Sequence, residues 1–198
     1  MNKADARVHR YSRGYLPHLD SLVLLQFITF RLADSLPANF VQDLERKLSK
    51  RLIDEREYHA AINKFLDLGK GPIYLKQAEI AQMVAETLLR FDGVKYELWN
   101  WVLMPNHAHI LLKVMEPHLL SEVMHSIKGY TAVTANRMLY RRGRFWAPDY
   151  FDRYIRDRQH LAHVMNYIDQ NPVKAGLCDT PETWPWGRAG WKGPKADG

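Results

Sequence analysis

His107 and His109 are separated by one apolar residue within the run Trp101-Val-Leu-Met-Pro-Asn-His-Ala-His-Ile-Leu-Leu112. On an extended strand residues i and i+2 share a side. Both imidazoles then reach one place while Ala108 and Ile110 face a core. Neutral imidazoles ligate divalent cations, and imidazole also carries protons near neutral pH. A sheet with two histidines on a polar face satisfies the same pattern, so the pair alone does not decide. Far along the chain, His163, Tyr167 and Asn171 recur at intervals of four, which lays them along one helical stripe. A phenol can attack phosphate only with help, because its pKa is about 10. Asn171 precedes Pro172, and the residue before a proline is pushed away from helical geometry. Taken alone, Asn171 therefore reads as the N-cap of a short turn beginning at Pro172.

These side chains need a strand and a helix to hold them. Leu22 to Leu32 is apolar and rich in strand formers. Val41 to Leu68 carries apolar residues at helical spacing (Leu44, Leu48, Leu52, then Ala61, Phe65 and Leu68) and predicts one or two amphipathic helices ending near Gly69-Lys70-Gly71-Pro72. This segment reads as an insertion without chemistry of its own. Gln77 to Arg90 predicts a helix. Tyr96 to Met104 and His107 to Val114 predict two strands joined at Pro105-Asn106 as a hairpin. Ser121 is placed to cap a helix running toward Leu139. Phe145 to Ile155 is irregular or strand-like. Asp157 caps a helix through Gln170 that Pro172 ends or kinks. The order predicts an α+β fold of ferredoxin-like type, an antiparallel sheet with helices on one face, in one domain over residues 1–198. Residues 1–20 read as a loose or docked basic arm, and 187–198 as a disordered tail.

The formal net charge is +6 and the sequence pI about 9.4, which suits a polyanionic partner. The distribution sharpens this. Arg137, Arg141, Arg142 and Arg144 cluster, and Arg153, Arg156 and Arg158 follow, interleaved with Tyr140, Phe145, Trp146, Tyr150, Phe151 and Tyr154. Arginine among stacking rings fits a single-stranded or hairpin nucleic acid; a solvated rim over an aromatic core is the alternative. The lone cysteine, Cys178, excludes an intrachain disulfide and a cysteine-built zinc site. No apolar run is long enough for a membrane span, and no apolar leader opens the chain, so a cytoplasmic protein is expected.

The Pro-Asn-His-Ala-His-Ile-Leu strand resembles the histidine-hydrophobic-histidine motif of single-tyrosine nucleases. Phe145-Trp-Ala-Pro-Asp-Tyr-Phe-Asp-Arg-Tyr-Ile-Arg-Asp157, Tyr167-Ile-Asp-Gln-Asn-Pro-Val-Lys-Ala-Gly-Leu177 and Trp184-Pro-Trp186 resemble the REP-associated tyrosine transposases. The resemblance covers roughly residues 22–186, except the helical segment near 41–68. It implies a metal-dependent single-stranded DNA endonuclease and strand transferase that cuts and rejoins DNA near palindromic hairpins through a covalent 5′-phosphotyrosine. It implies Tyr167 as nucleophile, with His107, His109 and Asn171 as ligands of Mg²⁺ or Mn²⁺. Asn171 stands where others of the wider group have glutamine, and both offer an amide oxygen. His163 would orient Tyr167, take its proton, or cap a polar face. Phosphate contacts would come from Arg13, Lys128, Arg141, Arg142, Arg144, Arg153, Arg156 and Lys174, with Trp146 stacking on a base. Tyr130 is the main rival nucleophile, but position 134 is Thr134 and gives it no amide partner. Two other readings fit the residues: a hairpin-binding module that does not cleave, and a metal-dependent phosphoesterase that uses water. The active form is expected to be a monomer or a homodimer.

Overall fold

The computed structural model describes residues 24–193 and, as strand backbone, β1 (His9–Arg13) and β2 (Leu16–Asp20). These two strands pair antiparallel, so the expected arm contains a two-stranded ladder. Then come β3 (Leu25–Arg31), α1 (Ala38–Ser49), α2 (Glu55–Leu66), α3 (Ala78–Arg90), β4 (Tyr96–Leu103), β5 (His107–Val114), α4 (Leu120–Met138), β6 (Phe151–Tyr154) and α5 (Arg158–Lys174). The main sheet has the order β4-β5-β3-β6 and is antiparallel throughout. Counted from β3, with α1 and α2 set aside, the chain runs strand, helix, strand, strand, helix, strand, the ferredoxin-like connectivity that the sequence predicts. No helix among the described residues is long and apolar enough to cross a membrane.

Strand alternation sorts the two faces. Ile28, Phe30, Ala108, Ile110 and Leu112 point to one face and bury against α3 and α4. Phe27, Val102 and Leu111 point to the other and bury against Val164 and Ile168 of α5. The closing helix thus lies across the face opposite α3 and α4, and that is the face of both histidines. At the β4 bulge Asn100 reaches across to α5, where its Nδ2 donates to Asp169 Oδ1 at 2.8 Å and to the Met165 carbonyl at 3.3 Å.

Five local expectations are corrected. The α5 helix does not stop at Gln170 but continues through Pro172 to Lys174. Its stop signal is Gly176, at φ +67°. Leu177 N–H donates to the Pro172 carbonyl and Gly176 N–H to the Val173 carbonyl, a Schellman closure. Pro172 sits in the last turn, where its fixed φ is helical and a single helix hydrogen bond is lost. Asn171 is therefore helical, one turn beyond Tyr167, and caps no new turn. Ser121 lies inside α4. Leu119 is the cap residue, and its N–H donates to the Glu122 carboxylate at 3.2 Å.

The tail expected to be disordered is docked over 187–191. Arg188 N–H donates to the Trp101 carbonyl at 3.0 Å, and Trp191 packs edge-on against Trp101. Indoles in a tail find a cover where β4 presents another indole. Residues 194–198 lie outside the described residues. Trp146, expected to stack on DNA, is only 5% exposed. It packs edge-on against Phe30 and Phe145, and its indole N–H donates to Thr131 Oγ1 at 2.8 Å. It is a core residue.

Candidate active site

The two histidines are fully buried side by side on β5. Each is oriented by a neighbour. His107 Nδ1 lies 2.7 Å from Asn106 Oδ1. Asn106 Nδ2 is already committed to the Leu66 and Lys70 carbonyls, at 3.1 and 3.3 Å. The amide oxygen must then accept, so His107 carries its proton on Nδ1 and keeps a lone pair on Nε2. Thr29, the register partner of His109 on β3, places Oγ1 2.7 Å from His109 Nδ1, and a proton there likewise leaves Nε2 free. Burial pushes the His107 imidazole down to about 3. Burial, then His107 and Arg153, push His109 well below the ordinary range. Both rings are neutral near pH 7.

The two Nε2 atoms lie 3.1 Å apart. Two nitrogens bound at roughly 2.1 Å to one octahedral ion would stand about 3 Å apart, so the spacing suits a shared cation. Asp67, just past the end of α2, adds a carboxylate oxygen 3.8 Å from His107 Nε2. One ligand atom from each of Asp67, His107 and His109 falls within 4.8 Å of the others. Partial burial raises the Asp67 carboxyl to about 6, against the opposing pull of Lys174.

Tyr167 reaches the same place from α5. Its hydroxyl is 3.3 Å from His109 Nε2, and its ring meets Phe27 edge-on. Burial, then Asp67, raise the phenol above its usual value; the Asn171 amide and Arg153 act the other way. Asn171 is 3% exposed, and its Oδ1 is buried with no hydrogen-bond partner. A buried amide oxygen left unpaired is costly, and here it lies one helical turn from Tyr167. Two neutral imidazoles and a carboxylate form a donor set that fits a divalent ion.

The structure thus brings His107, His109, Tyr167 and Asn171 to one face. His163 is exposed, one turn before Tyr167. The cations separate into two groups. Arg153 lies beside Phe27 and interacts with Tyr167, and Lys174 Nζ sits 5.9 Å from the Tyr167 ring; exposed Arg156 follows on the same side. Lys128, Arg141, Arg142 and Arg144 lie around α4 and the loop after it. Lys128 Nζ donates to the Pro148 carbonyl at 2.8 Å, and Arg141 stacks over Tyr74. Arg142 and Arg144 are exposed. The Arg13 side chain lies outside the described residues. Tyr130 is 52% exposed on α4, across the sheet from the histidines.

Sequence reasoning missed Asp67, because the segment around it reads as an inert amphipathic insertion. The only local signal is an acid between a helix and a Gly/Pro break, which does not say where it docks. Asn106 supplies that information by joining the end of α2 to His107. Asn106→Ala should lower divalent-ion affinity roughly 10- to 100-fold, as read by calorimetric titration with Mn²⁺; an unchanged affinity would show that this clamp does not position the ligand.

The buried histidines also set an acid sensitivity. His59 on α2 stacks on Phe151, and burial with Arg153 pushes it down to about 3. In the unfolded chain these imidazoles titrate at about 6.5. Between the two values the unfolded state binds more protons, so stability rises with pH and is lost on acidification. In EDTA the melting temperature should be flat above about pH 7 and fall steadily below about pH 6.5. His59→Leu should shallow that fall, and a midpoint constant down to about pH 5 would contradict neutral burial.

Residues 75–171 match the family model described as Transposase IS200 like. A candidate REP-associated tyrosine transposase of Haemophilus influenzae is 28% identical over 94 residues, covering 42% of this chain and 53% of that protein. The chain therefore spans about half the length of the curated relative it matches. A solved REP-associated tyrosine transposase bound to a REP hairpin aligns over 89% of this chain and 80% of that one, with a TM-score of 0.56 and 19% identity, a likeness of fold. Over the matched residues the chain is similar to the IS200-like transposases, and its fold is like that of the solved relative. Within that class its likeness is to the REP-associated tyrosine transposases.

Proposed function

We propose that the chain is a metal-dependent single-stranded DNA endonuclease and strand transferase, cutting and rejoining DNA beside hairpins. The observation that carries this reading is the 3.3 Å approach of the Tyr167 hydroxyl to His109 Nε2, beside the second imidazole. His107, His109 and Asn171, joined by Asp67, would hold Mg²⁺ or Mn²⁺. That ion, when bound, polarises a phosphodiester and offsets charge that develops on it.

The protein's own groups do the rest. Tyr167 Oη attacks phosphorus, a bond from tyrosine oxygen to phosphorus forms, and the bond from phosphorus to the 3′-oxygen breaks. The phenol loses its proton, and the leaving 3′-oxygen gains one. The product is a 5′-phosphotyrosine and a free 3′-hydroxyl. Attack by a 3′-hydroxyl reverses the step, so the covalent link conserves the diester bond for rejoining without a nucleotide cofactor. Arg153, with its Nε buried and unpartnered, and Lys174 beside the Tyr167 ring favour both phenolate and phosphate. His163 is assigned a supporting place on the same helix, orienting the phenol or receiving its proton.

Tyrosine and histidines come from one chain, so a single protomer suffices for cleavage in this reading, whether it acts alone or within a homodimer. The hairpin bound by the structural relative makes a DNA hairpin with single-stranded flanks the substrate of choice. Arg141, Arg142, Arg144 and Lys128 would meet its backbone on the α4 side. Incubation with such a DNA and Mn²⁺, followed by a denaturing gel, should give a band shifted by covalently attached DNA. Cleavage that leaves free 5′-phosphate and no shifted band would instead mean attack by water, and binding without cleavage would mean a non-cleaving module.

A further inference from the structure

The helical segment α1–α2 reads in the sequence as an elaboration. In the structure α2 forms one wall of the site. Its capping box fixes its start: Glu57 N–H donates to Asp54 Oδ1 at 2.7 Å, and Asp54 N–H donates to Glu57 Oε2 at 2.9 Å. Buried Leu66 and the Asn106 clamp fix its end. Between α2 on one side and β6 and α5 on the other lies an open cleft of about 320 Å³. It is lined by Arg56, Asn63 and Lys64 from α2, by Phe151 and Arg153 from β6, and by Tyr167. The size lies within the range of roughly 300–1,000 Å³ typical of ligand sites.

Charge is what distinguishes this cleft. Arg56 and Arg156 both act on Arg153 as like charges. Arg153 Nε is buried without a hydrogen-bond partner. Arg56 and Lys64 are exposed on the α2 wall. The cleft's one acid, Asp67, sits at the histidine end and faces His107. Crowded guanidiniums with an unpaired donor call for an anion from outside the chain.

We propose that this cleft carries the backbone of single-stranded DNA past Tyr167, with Arg56 and Lys64 of α2 and Arg153 of β6 each engaging phosphate. The inference rests on the nuclease reading for its direction, because the strand it holds would be the one presented to Tyr167. It makes α2 a substrate-binding element and a shaper of the site, where the sequence suggests a cover for the sheet.

The test is anisotropy of fluorescein-labelled single-stranded DNA of mixed sequence, titrated with the full chain in EDTA at several salt concentrations. Arg56→Ala and Lys64→Ala are surface changes, and circular dichroism melts check that each variant folds as the parent does. Each should weaken binding about tenfold at low salt and reduce the slope of log affinity against log salt by about 0.7, the value for one phosphate contact on a single strand. Arg56→Lys should recover part of the loss. Arg90→Ala, on exposed α3 surface, should change neither quantity. Parent-like affinity and slope for Arg56→Ala and Lys64→Ala overturn the proposal, as does an equal effect of Arg90→Ala, which would reflect net charge alone. The nuclease reading fails separately. If the parent forms no covalent adduct while the Arg56 and Lys64 effects hold, the cleft stands and the chemistry falls.

Discussion

Tyr167→Phe is expected to abolish covalent attachment of DNA. The substitution removes one oxygen and leaves the ring, so the edge-on contact with Phe27 and the burial of α5 persist. Loss of one hydroxyl contact should change stability by no more than about 1 kcal/mol. Binding of hairpin DNA should match the parent within a factor of about two, because the phosphate contacts lie elsewhere. Strand cleavage should fall by at least about 10³-fold, since no other group replaces an absent nucleophile. A gel assay for the adduct, run beside an anisotropy titration, separates the two effects. Equal loss of binding and cleavage would mean that the phenol serves recognition and not chemistry.

His109→Ala has the second largest expected effect. One nitrogen, Nε2, lies 3.1 Å from His107 Nε2 and 3.3 Å from the Tyr167 hydroxyl, so its removal opens the centre of the site. Metal assistance is worth several kcal/mol of transition-state stabilisation. At about 1.4 kcal/mol per tenfold, cleavage should drop by roughly 10³-fold. Treatment of the parent with EDTA should produce a similar loss, and added Mn²⁺ should restore the parent but not the variant. Cleavage by the parent at full rate in EDTA would mean that the two imidazoles serve Tyr167 directly, without an ion. Fold integrity needs its own check, because the ring stacks on Phe27 with centroids 5.3 Å apart; a melt of the apoprotein provides it.

The histidine pair and its strand were legible because two signals coincide. Period-two alternation sets His107 and His109 against Ala108 and Ile110, and Pro105-Asn106 marks the turn. The ferredoxin-like order followed from elements whose apolar periods are strong, except β6, whose segment reads only as irregular or strand-like. The helix carrying Tyr167 was legible only in part. The rule that disfavours helix before a proline acts on one residue, whereas the Schellman closure at Gly176 acts on a whole turn and wins. That outcome keeps Asn171 on the stripe of Tyr167. The role of Asp67 was not legible at all. Its position depends on a long-range clamp, in which Asn106 holds two carbonyls of the α2 loop and one imidazole at once. Trp146 was misplaced for a related reason, since an aromatic among arginines has the same composition whether it faces solvent or core. The basic residues were found as a single population, and the sheet divides them between two faces.

The central claim is that Tyr167, served by the histidine pair, becomes bonded to DNA. It is tested most directly by mass spectrometry of the adduct. The parent protein is incubated with hairpin DNA and Mn²⁺, denatured, and digested with nuclease and protease. The account predicts a nucleotide-modified peptide whose modification maps to Tyr167. A modification that maps to Tyr130 or any other residue, or cleaved DNA with no modified peptide, would contradict it.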